Sequence, residues 1–127
     1  MAQVKKTKSK LVKELDTVFS QYVRYSRSKN GYCTCITCDR EYEIKKIHCG
    51  HFMSRQYMSV RWDERNVAPQ CYGCNVMQQG KQFEFSLKLG KELSEELYLL
   101  SKQTKKYSLI ELQELIDIYK EKLKIVS

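Results

Sequence analysis

The sequence predicts an α+β protein, mainly helical, whose small metal-held centre is flanked by N- and C-terminal helices. Three observations predict it. Apolar residues recur at helical spacing near both ends of the chain but hardly between residues 32 and 70. That middle stretch is rich in Tyr, Ile, Thr and Cys and carries Cys-x-x-Cys units at either side. The chain has 127 residues, 42% hydrophobic and 30% charged, which suits one domain with a core of its own.

In order, Leu11, Leu15, Val18, Phe19 and Tyr22 form one stripe of an amphipathic helix, which should end by Asn30-Gly31. Residues 32–70 read as short strands and loops, including the run Glu43 to His48, and Pro69 breaks the chain before Cys71. A helical pattern resumes from Cys74 through Val76, Phe83 and Leu87, with Gly90 as its stop, and Leu93, Leu97 and Leu100 mark another short helix. Ser108 and Glu111 form a capping box, with Tyr107 and Leu112 as a hydrophobic staple. Leu112, Leu115, Ile116, Tyr119 and Leu123 then make a buried stripe. The expected organisation is a single domain, 1–127, with a flexible basic arm at 1–10, a zinc-holding centre at 32–90 and C-terminal helices at 91–127.

No apolar run approaches the ~18–20 residues that span a bilayer, and no secretory signal is visible, so a cytoplasmic protein without a membrane partner is expected. The net charge is +8, and it is concentrated at the start, where Lys5, Lys6, Lys8 and Lys10 are followed by Lys13 before any acid. Such an arm attracts phosphate backbones through counterion release. A solvated tail that aids solubility is the plainer reading of the same charges.

Cys35-Ile-Thr-Cys38 and Cys71-Tyr-Gly-Cys74 are two knuckles separated by 32 residues. Two residues between thiolates let both sulfurs reach one ion at about 2.3 Å, and two knuckles complete a tetrahedron. Four thiolates leave no open position, so the expected Zn²⁺ is structural. A redox pair would call for a βαβ pattern, which is absent. Cys33 and Cys49 are left over; Cys33 could stand in for Cys35, although Cys35–Cys38 has the better spacing.

The only two histidines, His48 and His51, both lie between the knuckles, with Asn66 five residues before the second knuckle and Asn75 just after it. A strand-borne His, a mid-loop Asn and an Asn at a helix start behind a zinc knuckle follow the order of an HNH, or ββα-metal, nuclease. Arg55, Arg61 and Arg65 flank this set with Tyr57 and Trp62 among them, a pattern suited to phosphate contact and base stacking. Trp62 could equally just pack the centre.

On these residues the chain resembles the phage NinG/Rap recombination endonucleases. The resemblance is carried by Cys35-x2-Cys38, His48-x-Gly50-His51-Phe52, Arg61-Trp62-Asp63-Glu64-x-Asn66, Gln70-Cys71-x2-Cys74-Asn75 and Gly80, and downstream by Lys106-Tyr107-Ser108. It covers roughly residues 11–125, and the zinc and ββα arrangement is also similar to phage endonuclease VII, a junction resolvase. The resemblance implies that His51 is the general base, that Asn66 bridges the loop to hold the hairpin and His51, and that Asn75 offers its amide oxygen to Mg²⁺ or Mn²⁺. Gly50 stands where many HNH enzymes carry a second metal ligand. His48, on the same strand face and with room left by the missing side chain, is the first candidate to replace it, and Asp63 or Glu64 the alternative.

The implied function is cleavage of branched DNA such as Holliday junctions or D-loops, by a phage-encoded protein in the bacterial cytoplasm. A homodimer would match a two-fold junction, with the apolar helix stripes as its seam or as core. Recombination proteins are candidate partners. The alternatives are a non-catalytic zinc module that binds DNA as a recombination accessory, and an HNH nuclease acting on linear duplex.

Overall fold

The computed structural model describes residues 6–127, so Lys5 lies outside the described residues. Helix α1 (Lys8–Ser26) begins within the stretch expected to be a flexible arm, because Thr7 caps it: its hydroxyl accepts from the Lys10 N–H at 3.2 Å. Beyond it, Asn30 (φ 54°) and Gly31 (φ 83°) make the expected turn, both in the left-handed region.

Two antiparallel hairpins follow. Strands β1 (Tyr32–Thr34) and β2 (Glu41–Glu43) pair with Tyr32 opposite Glu43. Strands β3 (His48–His51) and β4 (Val67–Gln70) pair with His48 opposite Gln70 and His51 opposite Val67. Pro69, expected as a break, sits inside β4 opposite Cys49. The bond from Phe52 N to Asn66 O, 2.8 Å, sets the alternation of the ladder, so the Pro69 nitrogen points away from β3 and no ladder bond is lost. On its outer side the Pro69 carbonyl accepts from the Ile36 N–H at 3.0 Å, which ties the first knuckle to β4.

The continuous helix expected from Cys74 to Gly90 is divided. A π-helical turn, Gly73–Met77, ends in three consecutive left-handed residues, Gln79 (φ 54°), Gly80 (φ 88°) and Lys81 (φ 45°), and α2 (Gln82–Leu89) begins only after them. A chain in that conformation cannot propagate a right-handed helix. Helix α3 (Lys91–Ser101) and helix α4 (Leu109–Val126) follow, and the Ser108–Glu111 capping box is present with both of its bonds.

Helices α1 and α4 pack on each other within the one chain. Leu11, Leu15, Val18, Phe19 and Val23 meet Leu112, Ile116 and Tyr119, and Trp62 and Val67 close the same cluster. Fully burying each such aliphatic side chain contributes about 1.5–3 kcal/mol. The two stripes are therefore core, and a dimer seam, if formed, lies on another face. A second cluster holds Phe52, Met53, Val60 and Ala68 against Phe85 and Leu97, and a third gathers Cys33, Cys35, Ile47, Cys71 and Cys74. Among the described residues, no helix is long and apolar enough to cross a membrane.

Candidate functional site

The two knuckles converge. The sulfurs of Cys35, Cys38, Cys71 and Cys74 all lie within 4.8 Å of one another, and Cys38 Sγ is 3.9 Å from Cys71 Sγ. Zinc bonds of about 2.3 Å place tetrahedral sulfurs roughly 3.8 Å apart, so the cluster could hold one zinc ion. Backbone donors already face the sulfurs: Cys71 N–H reaches Cys35 Sγ at 3.3 Å, and Cys74 N–H reaches Cys71 Sγ at 3.4 Å. Burial opposes the Cys35 thiolate, but the Cys71 N–H, the Thr37 hydroxyl and the Thr37 and Cys38 N–H groups outweigh it and bring its pKa down to about 6. Burial and the neighbouring sulfurs instead raise Cys38, to about 11. Crowded sulfurs of this kind ionise together only around a cation. Cys33 stands outside the cluster; its thiol donates to the Arg24 carbonyl at 3.2 Å. Burial pushes the Cys49 thiol up to about 12.

Beside this centre, β3 presents both histidines to one cavity of about 560 Å³, whose wall also includes Asp16, Arg24, Lys45, Arg55 and Asn75. The His51 Nε2 lies 3.0 Å from the Arg61 carbonyl. A carbonyl only accepts, so Nε2 carries the proton and the lone pair is left on Nδ1. Burial lowers the His51 pKa below its usual 6.5, more than the Arg61 carbonyl raises it, and the nearby Arg55 charge adds to the lowering. Near neutral pH this imidazole is therefore uncharged. Across the cavity, the Asn75 amide nitrogen is 3.2 Å from His48 Nδ1. The π-helical turn behind Cys74 aims Asn75 there, its own N–H bonding back to the Cys71 carbonyl at 2.8 Å.

Asn66 is fully buried and does not line the cavity. Its oxygen accepts from Met53 N–H at 2.9 Å, and its amide nitrogen donates to Met53 O (2.9 Å) and Val60 O (3.1 Å). Through these bonds it braces the loop from His51 to Arg61, which supplies the carbonyl that orients His51. Its place is that of a positioning residue rather than one that meets a ligand.

The arginines part ways. Arg55 is exposed and lines the cavity, with one guanidinium nitrogen 3.5 Å from the Asp16 carboxylate. Arg61 is engaged with Asp16 through Nε at 3.1 Å and through its terminal nitrogen, and with the Arg55 carbonyl at 2.8 Å. Arg65 is held by Asp63 and Glu96 and is not on the cavity wall. Asp63 is spent on Arg65, and Glu64 on Tyr119 and Lys122, so neither alternative acid faces the histidines. Trp62 packs in the core, its indole N–H donating to Asp16 Oδ1 at 3.0 Å. Lys6 pairs with Glu14, Lys8 and Lys10 sit in the first turn of α1, and none of the three lines the cavity.

Gly50 does not leave room for His48. The space is filled by the buried Gln70, whose Cβ would lie 2.8 Å from a Cβ at Gly50. Gln70 donates to Thr37 Oγ1 at 3.1 Å and to Gly80 O at 2.7 Å, joining the first knuckle to the cavity wall. Neither Gln70 nor Asp16 stands out in the sequence as a site residue. The one signal for Asp16 is an acid between Leu15 and Phe19 on an otherwise apolar helix face.

Fold and site together define an α+β protein in which a four-cysteine cluster is coupled to a cavity lined by two histidines and an asparagine. The chain belongs to the NinG family: the model described as Bacteriophage Lambda NinG protein matches it over residues 1–127. No curated protein and no solved structure matches the chain.

Proposed function

We propose that this phage-family protein is a metal-dependent endonuclease that cuts branched DNA recombination intermediates, with His51 as its general base. The observation that carries the reading is the meeting of His48, His51 and Asn75 on one cavity, with the His51 tautomer fixed by the Arg61 carbonyl. An uncharged imidazole whose Nδ1 lone pair is free can take a proton from water attacking phosphorus. Attack opposite the 3′ oxygen leaves 5′-phosphate and 3′-hydroxyl ends. Arg55 and Lys45 on the same wall would draw the phosphate backbone in.

The donor set also fits a small divalent cation. A magnesium octahedron with bonds of about 2.1 Å has edges near 3 Å, and the Asn75 amide and His48 Nδ1 are 3.2 Å apart. Turning the amide over presents its oxygen beside the imidazole nitrogen, so Asn75 and His48 would hold Mg²⁺ or Mn²⁺. When bound, such an ion neutralises charge developing on the scissile phosphate. Both ligands are uncharged, and the cavity's carboxylate, Asp16, is committed to Arg61, Trp62 and Arg55. Metal affinity should accordingly be weak until DNA phosphate supplies a third, charged ligand.

Preference for branches, action in recombination and a homodimer matched to a two-fold junction rest on the NinG/Rap resemblance. The test incubates labelled four-way junction and linear duplex with zinc-loaded wild type and His51→Ala, in Mg²⁺, in Mn²⁺ or with no added divalent ion. Junction cleavage by wild type with metal, absent without added divalent ion and lost in His51→Ala, is expected. Binding without cutting under every metal would leave a non-catalytic zinc module, and equal cutting of duplex would leave a general HNH nuclease.

A further inference from the structure

A second cavity, about 690 Å³, adjoins the first and shares His51, Ser54, Gln79 and Gly80 with it. Its outer wall is built from Tyr57, Phe83, Tyr98, Gln56, Gln82 and Lys102. Phe83 is 71% exposed and Tyr98 51% exposed, so neither ring is there to fill a core. Lys102 Nζ lies 4.6 Å from the centre of the Tyr98 ring and 5.7 Å from that of Tyr57, which fixes a cation between two aromatic faces. Among the described residues no carboxylate lines this cavity.

From this wall we infer that the second cavity takes up unpaired nucleobases of the DNA strand whose phosphate enters the His51 cavity. The inference rests on the nuclease reading and deepens it by naming what the substrate must offer beside the cut. Aromatic faces stack on any base, which gives affinity for unpaired strands without a sequence code. Side-chain amides of Gln56 and Gln79 carry both donor and acceptor groups for a base edge. Lys102 supplies positive charge for the adjoining backbone. Continuity through His51 makes the base in this cavity a close neighbour of the scissile phosphate. A paired base keeps its faces covered within the duplex, so fully paired DNA gains nothing from these rings.

The test measures binding of the full, zinc-loaded chain, with no chelator and no added Mg²⁺ or Mn²⁺ so that nothing is cut, to a 20-mer duplex and to the same duplex carrying a short central gap with 2-aminopurine in it. Wild type should bind the gapped DNA more tightly and change the 2-aminopurine emission. Phe83→Ala and Tyr98→Ala should each weaken gapped-DNA binding by about 5- to 100-fold while leaving duplex binding within about twofold. Phe83→Trp should keep the preference, whereas Phe83→Leu, apolar but without a π face, should lose it. Unchanged gap preference in both alanine variants overturns the inference and leaves the groove to a peptide partner, as does a wild type with no gap preference. The two readings fail separately: gap binding through Phe83 without cleavage in metal removes the nuclease, and cleavage with no effect of Phe83 or Tyr98 on binding removes the base pocket.

Discussion

Gly50 and Gln70 share one slot: a Cβ on Gly50 would come within 2.8 Å of the Gln70 Cβ and closer still to its amide oxygen. The fully buried Gln70 cannot swing away without leaving its bonds to Thr37 and Gly80. Gly50→Ala is therefore expected to destabilise the fold by about 1–3 kcal/mol, the range for overpacking. Denaturant titration checks it. Adding Gln70→Ala should recover part of the loss, so the double variant is more stable than the sum of the single effects predicts.

The sulfur cluster predicts one zinc per chain. Cys71→Ser should lower zinc content, measured by elemental analysis, and lower the thermal midpoint, because metal binding and folding are coupled. Cys33→Ser and Cys49→Ser should keep full zinc, since neither sulfur belongs to the cluster. Zinc retained at full occupancy in Cys71→Ser would remove the site.

His51 sets a pH dependence. Its folded pKa lies below the ordinary 6.5 through burial, so the neutral form persists into mildly acidic solution. If the chain cleaves DNA as proposed, the rate should fall in acidic solution with a midpoint below about pH 6.5. Stability follows the same sign: the contribution of this group is fully present above about 6.5 and is lost as the pH drops through the lowered folded value. A rate profile with its midpoint above 7 would contradict this environment for His51.

Asn66→Ala should cost about 2–4 kcal/mol by stranding the Met53 and Val60 backbone groups that it now satisfies. If cleavage is found, the variant should lose rate at temperatures where circular dichroism still reports a folded chain, because the loop that orients His51 has lost its brace. Substrate affinity should change little, as Asn66 does not reach the cavity.

Asp16 joins α1 to the same loop through Arg61 and the Trp62 indole. Removing its carboxylate leaves a half-buried guanidinium without its counter-charge. Asp16→Ala is expected to lose about 3 kcal/mol, and Asp16→Asn less, since the amide oxygen can still accept from Trp62. Thermal unfolding in low and high salt checks it: a partly buried pair should be screened only weakly.

The parts of the fold legible in the sequence are those written in local signals. The α1 stripe repeats at helical spacing along one continuous segment, the Ser108–Glu111 cap and each Cys-x-x-Cys knuckle span only a few residues, and all of them stand in the structure. The break within 74–90 is not legible in the sequence because two of its three left-handed residues, Gln79 and Lys81, are types that ordinarily avoid positive φ, and only Gly80 announces a bend. The engagement of Arg61 is hidden from the sequence because its partner Asp16 is 45 positions away. The convergence of His48, His51 and Asn75 depends on a hairpin register and a π-helical turn, neither of which has a periodic signature. Pro69 misled for the opposite reason: its breaking tendency is real but vanishes where its nitrogen faces away from the ladder.

Gln70 has one further consequence, for anyone who would transplant the histidine hairpin. Grafted alone, β3 and β4 would carry a dry amide stripped of both acceptors, Thr37 before it and Gly80 after it. Its oxygen already has no hydrogen-bond partner, so the side chain has no reserve to lose. Any portable piece therefore has to run at least from the first knuckle through the bend at Lys81, and shorter excisions should arrive unfolded.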